Sequence, residues 1–110
     1  MNAEIEKHLP EIEKLCQRYG VAVLELFGSA TGPFFNAATS DYDFIATFAE
    51  TGLRTGYGWR FLDFARGLEK LLQRPVDGIT PDSIKSPRFK AAVDSSRQLI
   101  YAAESSRATA

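Results

Sequence analysis

Apolar residues along the chain fall into alternating helix-like and strand-like runs. Ile12, Leu15, Cys16 and Tyr19 recur at i, i+3, i+4 and i+7, the spacing of one helical face. Pro10 suits the first turn of that helix and Gly20 suits its end. Residues 2–8 read as a separate short turn ahead of it. Val21 to Phe27 (VAVLELF) is short, apolar and partly β-branched, which predicts a buried strand ending at Gly28-Ser29. Phe34 to Ser40 reads as a loop and Tyr42 to Phe48 (YDFIATF) as a second strand. Glu50 to Gly58 holds three glycines and predicts a mobile loop. Phe61, Phe64, Ala65, Leu68, Leu71 and Leu72 return to helical spacing until Arg74-Pro75 stops them. Val76 to Ile79 (VDGI) reads as a short third strand. Ser86 suits a helix cap with Pro87 in the first helical position. Phe89, Ala92, Val93 and Ile100 are the expected apolar stripe of the last helix.

Three strands covered by about four helices predict an α/β or α+β layer structure. A chain of 110 residues with no internal repeat or linker is expected to be one domain over residues 1–104, with a small polar tail at 105–110. A core of that size leaves no room for a deep enclosed cavity, so a site should lie on an open face that a macromolecular partner can complete.

Charge and cysteine usage exclude several classes. Net charge is −1, from 13 basic and 14 acidic residues, and a dedicated nucleic-acid binder carries a clear basic excess. Cys16 is the only cysteine, so a disulfide framework is ruled out, and its place on the apolar helix face marks a structural thiol. The charged start lacks an apolar signal region, and no apolar run approaches the ~20 residues that span a membrane. The expected location is the cytoplasm. His8 is expected to be exposed. Phe34, Phe35, Tyr57 and Trp59 are candidates for stacking a base or binding a partner, though such aromatics more often belong to a core. Arg54, Arg60, Lys85, Arg88, Lys90 and Arg97 cluster in the second half and read as solvated surface charge, with Arg54 able to close over a ligand.

Candidate chemistry starts at Asp41-Tyr42-Asp43. Residues i and i+2 of a strand share a face, so the two carboxylates stand side by side while Tyr42 points away. Like charges that close repel, and a divalent cation between them resolves the repulsion. Mg2+ favours carboxylate oxygens together with substrate phosphates. The plainer alternative is two exposed acids at a strand start. Gly28 lets a backbone approach a ligand closely, and Ser29 offers a hydroxyl to a phosphate. A short helix starting near Ser29 would add a partial positive charge. The alternative is an ordinary turn glycine and a capping serine. Asp77 lies in a short apolar strand and needs a partner; if the third strand neighbours the second, it approaches Asp41 and Asp43. Three carboxylates suit one or two metals, with Asp77 as second-metal ligand or general base; the plainer alternative is a turn-forming aspartate before Gly78.

Leu26-Phe27-Gly28-Ser29, followed by Ser40-Asp41-Tyr42-Asp43-Phe44, resembles the signature of the DNA polymerase β-like nucleotidyltransferases. Arg74-Pro75-Val76-Asp77 resembles that superfamily's third-carboxylate strand. The small size and the stretch from Pro87-Arg88-Phe89 to Leu99-Ile100-Tyr101 resemble the minimal nucleotidyltransferases, many of them antitoxins. The resemblance spans roughly Leu9 to Ala102. It implies a nucleotidyltransferase fold with a mixed three-stranded sheet. It implies Mg2+ (two ions) held by Asp41, Asp43 and Asp77, and the triphosphate of ATP held by Gly28 and Ser29. It implies transfer of a nucleoside monophosphate to a hydroxyl, with a tyrosine of a HEPN-domain toxin as the acceptor on a partner. A homodimer or hetero-oligomer is expected. Ala30 and Thr31-Gly32 stand where many members carry arginines, and Gly78 follows Asp77 where an apolar residue is more usual. The intact acids favour an active enzyme; the missing arginines favour an antitoxin that works by binding alone. Transfer to a small molecule or an RNA end is a third possibility.

Overall fold

Asn2 begins the fold as a helix cap. The computed structural model describes residues 2–32, 41–49 and 57–103. The Asn2 side-chain oxygen accepts the Glu4 and Ile5 amides at 2.9 and 3.2 Å, which starts α1 (Ala3–Lys7) and drives Ile5 into the core. Helix α2 (Leu9–Tyr19) carries Pro10 in its first turn and ends at Gly20, whose φ of 74° is the left-handed cap that glycine takes without strain. The short turn expected at residues 2–8 is therefore a one-turn helix. His8, between α1 and α2, is half-buried rather than exposed, and its Nδ1 is buried without a hydrogen-bond partner among the described residues.

The described strands are β1 (Val21–Phe27), β2 (Tyr42–Phe48), β3 (Val76–Ile79) and β4 (Gln98–Ala102), in the spatial order β3-β2-β1-β4. β1 pairs antiparallel with β2 and β4, while β2 pairs parallel with β3. The sheet is mixed, as expected, but has four strands among the described residues instead of three. Helix α4 (Pro87–Ser96) starts at the predicted Ser86 cap and stops where Arg97 turns to extended backbone, φ −63° and ψ 137°. Ile100 is buried, but in a strand and not on a helical stripe. The physical reason is the open edge of β1, whose backbone groups need partners; residues 98–102 supply them. Helix α3 (Tyr57–Leu72) begins two residues earlier than the predicted loop allowed. The predicted loop at 34–40, the remainder of the one at 50–58, including Arg54, and the predicted tail lie outside the described residues.

Side chains alternate across the sheet and build two layers. Leu24, Leu26, Tyr42, Phe44, Ala46 and Phe48 face one side and pack with Ile12 and Cys16 of α2 and Phe64, Leu68 and Leu72 of α3. Burial, then the nearby Glu13 charge, pushes the Cys16 thiol up to about 12, which makes it inert. Helix α4 crosses the other face, where Phe27 meets Phe89 edge-on and Ile45 and Val93 are buried. Trp59 on α3 is 70% exposed and is not a core residue.

A polar network fastens the start of β2. The buried Tyr42 hydroxyl donates to Glu4 Oε1 and lies 3.2 Å from Asn2 Oδ1, while Arg74 Nε reaches the same Glu4 oxygen at 3.1 Å. The Arg74 guanidinium also lies 5.2 Å from the Tyr42 ring centre. Burial raises the Glu4 pKa, but the hydrogen bonds from Tyr42 and Arg74 outweigh it and hold the carboxyl below its ordinary value of 4.5. A depressed carboxylate contributes stability above its unfolded pKa and loses it as pH falls through the folded one. Glu4→Gln should therefore cost stability at about pH 6, by roughly 1 kcal/mol or less because the pair is partly solvated, and the gap to the unaltered protein should close as pH falls through the depressed Glu4 pKa. Urea unfolding of both proteins across that range measures it.

A candidate active site at one end of the sheet

Strand register gathers the chemistry at one end of the sheet. Phe27 pairs with Asp43, Asp43 with Asp77, and Leu26 with Gln98. The end of β1 thus meets the starts of β2, β3 and β4. Gly28-Ser29, Asp41, Asp43 and Asp77 all lie there. Tyr42 and Phe44 point into the core, so Asp43 leaves the sheet on the opposite face, and Asp77, its parallel partner, leaves on the same face. Asp43 is half-buried, while Asp41 and Asp77 are exposed. Burial, then the charges of Asp77 and Asp41, raise the Asp43 pKa above its ordinary value. The strand order that the sequence reading set as the condition for Asp77 to approach Asp43, β3 beside β2, is met.

Gly28 touches this cluster directly. Its φ is 78°, and a Cβ there would lie 2.6 Å from Asp43 Oδ2. The turn that follows, Gly28–Thr31, is a single 3-10 turn, shorter than a helix that would carry a useful dipole. The Thr31 hydroxyl donates to the Gly28 carbonyl at 2.8 Å, and the Gly28 amide donates to Ser96 Oγ at 3.0 Å. Ala30 is only 3% exposed and belongs to the main core cluster, so its small side chain is set by packing. Gly78 has an equally local reason: a Cβ there would lie 3.2 Å from the Phe61 ring.

Beside the turn, an open cleft of about 570 Å3 is lined by Gly28, Ser29, Thr31, Ser96, Arg97 and Gln98, among others. Arg97 forks onto Glu25 through Nε at 3.0 Å and Nη2 at 2.7 Å. It is not the solvated surface charge the sequence suggested. Sequence reasoning missed the place of Ser96 and Arg97 here, because it continued the last helix through them. Lys85, Arg88 and Lys90 are exposed as expected, and Arg60 lies 5.6 Å from the Phe48 ring centre. A groove of similar size, about 590 Å3, runs between α2 and α3 and contains none of the candidate site residues.

A cation fits the donor set by chemistry. The carboxylates are hard oxygen donors, and the raised Asp43 pKa marks negative charge that a cation would offset. Among the described residues no three acidic, histidine or cysteine side chains stand close enough together to hold a metal ion on their own.

Residues 11–100 match the family model of the nucleotidyltransferase domain. The chain belongs to that family. A solved structure of a minimal nucleotidyltransferase has TM-score 0.67 and 25% identity, over 84% of this chain and 89% of that one. A chain of the complex between tri-AMPylated HEPN toxin and MNT antitoxin from Shewanella oneidensis has TM-score 0.60 and 20% identity, over 96% and 78%. A chain of a toxin–antitoxin structure with AMP-PNP has TM-score 0.60 and 22% identity, over 88% and 75%. At these identities the two toxin–antitoxin structures show a shared fold. A search of curated proteins returned no match.

The Gly28 contact makes a direct prediction for this nucleotidyltransferase. Gly28→Ala combines a left-handed backbone with a clash against Asp43 and should destabilise the fold by about 2 kcal/mol or more. Ser29→Ala, one residue on, should cost well under about 1 kcal/mol. Denaturant unfolding of the two variants separates them.

Proposed function

We propose that this nucleotidyltransferase takes ATP and passes AMP to a hydroxyl, releasing pyrophosphate. The acceptor we assign is a tyrosine of a HEPN-type toxin, silenced by the transfer, which makes the protein an antitoxin. The observation that carries this reading is the register of Asp43 against Asp77, with Gly28 seated on the Asp43 carboxylate. The fold shared with the MNT antitoxin complex, whose HEPN toxin is tri-AMPylated, supports the choice of acceptor. The AMP-PNP complex supports an adenine nucleotide as donor.

The residues divide the work. Asp41 and Asp43 would hold Mg2+, Asp77 would complete the acidic triad, and Gly28-Ser29 would hold the triphosphate. Two Mg2+ ions held there would supply charge neutralisation for the triphosphate and a lowered pKa for the attacking hydroxyl. The acceptor oxygen forms a bond to the α-phosphorus as the bond to pyrophosphate breaks, and Asp77 takes the acceptor's proton. An open site on a small domain leaves room for a protein acceptor. Trp59 and Leu62, both exposed on α3, are suited to a partner or to a second copy of the chain. No described helix is long and apolar enough to cross a membrane. The location we assign is the cytoplasm.

A second reading is an antitoxin that neutralises by binding alone. It is favoured by the Gly28 amide, which Ser96 already occupies, and by the uncharged side chains at Ala30 and Thr31. Transfer to a small molecule is a weaker alternative, and transfer to an RNA end is weakened by the net charge of −1.

Thermal melting with each nucleoside triphosphate, with and without Mg2+, tests the donor site. A Mg2+-dependent rise of several degrees with ATP is expected, and it should vanish in Asp43→Ala. No rise with any triphosphate at about millimolar concentration would sink the enzyme reading. Asp43→Ala should also fail to silence the toxin if transfer is the mechanism, whereas binding alone would survive it.

A further inference from the structure

We propose that Arg97 is the cation that holds the triphosphate tail in this site, an inference that rests on the nucleotide reading above. A triphosphate brings several negative charges to a place where Asp41, Asp43 and Asp77 already supply three carboxylates. The strand order puts those acids on one side of the Gly28-Ser29 turn and β4, with the end of α4, on the other. The cleft on that second side is lined by hydroxyls of Ser29, Thr31 and Ser96, and Arg97 is its cationic side chain among the described residues. Arg97 lines the same cleft as Gly28 and Ser29, so a phosphate chain laid from the carboxylates across that turn would run toward it.

The guanidinium is aimed in advance. Glu25 of β1 accepts from Nε and Nη2 in a bidentate fork, which fixes the plane of the group. Nη1 donates to Asp94 at 2.5 Å. An arginine has five N–H donors, so this fork leaves donors to spare. Asp94 is the replaceable partner: Lys90 Nζ also bonds it, at 2.7 Å, so Asp94 keeps a countercharge when Arg97 turns to a phosphate. Glu25 keeps Arg97 in place through that exchange. Asp94 thus competes with the phosphate for the same guanidinium, and its removal should strengthen binding.

Binding of inorganic tripolyphosphate, ATP and AMP, each with Mg2+, to the full chain and to Arg97→Gln and Asp94→Asn decides the matter. Arg97→Gln should weaken tripolyphosphate and ATP about ten- to hundred-fold and leave AMP nearly unchanged. Asp94→Asn should tighten both polyphosphates by about two- to ten-fold. A folded Arg97→Gln with unaltered polyphosphate binding, or an equal loss for AMP, would overturn the role of Arg97. If Arg97→Gln does not fold, Asp94→Asn decides: tighter binding supports the proposal, and unchanged or weaker binding overturns it. An unaltered protein that binds none of the three would remove the donor site altogether, and Arg97's role with it. Binding that survives in Arg97→Gln but vanishes in Asp43→Ala would remove only the role of Arg97.

Discussion

The turn after β1 runs its backbone directly against the Asp43 carboxylate. Residue 28 has a φ of 78°, which glycine adopts without strain, and a Cβ there would lie 2.6 Å from Asp43 Oδ2 and push that carboxylate aside. That contact joins the end of β1 to the start of β2 and brings the cleft up to the acids. It holds only while Asp43 faces away from the core. The opposite face secures this: Tyr42 is fully buried, and its hydroxyl is bound into the Asn2–Glu4–Arg74 network. A one-residue slip of β2 would bury Asp43 and expel Tyr42, so hydrophobic burial and a polar lock enforce the same register.

Much of this was legible in the chain because the signals are local. The alternation around Asp41-Tyr42-Asp43 needs no tertiary information, and neither do the turn at Gly28-Ser29 or the Ser86-Pro87 cap. The pairing of Asp77 with Asp43 was stated as a condition on strand order, and the parallel β2–β3 ladder meets it. The fourth strand was not legible, because Ile100 continues a helical period from Val93 while the open edge of β1 decides otherwise. Arg97 was hidden by the same error: as part of a helix it looked like surface charge, whereas as the link into β4 it faces Glu25. His8 and Trp59 went wrong for a related reason, since burial of an isolated residue depends on neighbours that pattern does not reveal.

Electrostatically the site is divided by its glycine-serine turn. Acids gather on the β2–β3 side, where they raise the pKa of Asp43 and invite a cation. On the β4 side, among the described residues, the cleft beside the turn is lined by Ser29, Thr31, Ser96 and Arg97, and the Arg97 charge is met by Glu25 and Asp94. Ala30 contributes to the core in place of charge.

The parallel pairing of β3 with β2 has a consequence for how the site comes into being. β1 and β2 form an antiparallel pair, close neighbours along the chain. β3 reaches its place only through the crossover helix α3, and its pairing closes a much longer loop. Asp77 is delivered by that longer-range closure. The Gly28–Asp43 contact therefore needs only the antiparallel β1–β2 pair, whereas the third acid depends on the crossover through α3 being in place.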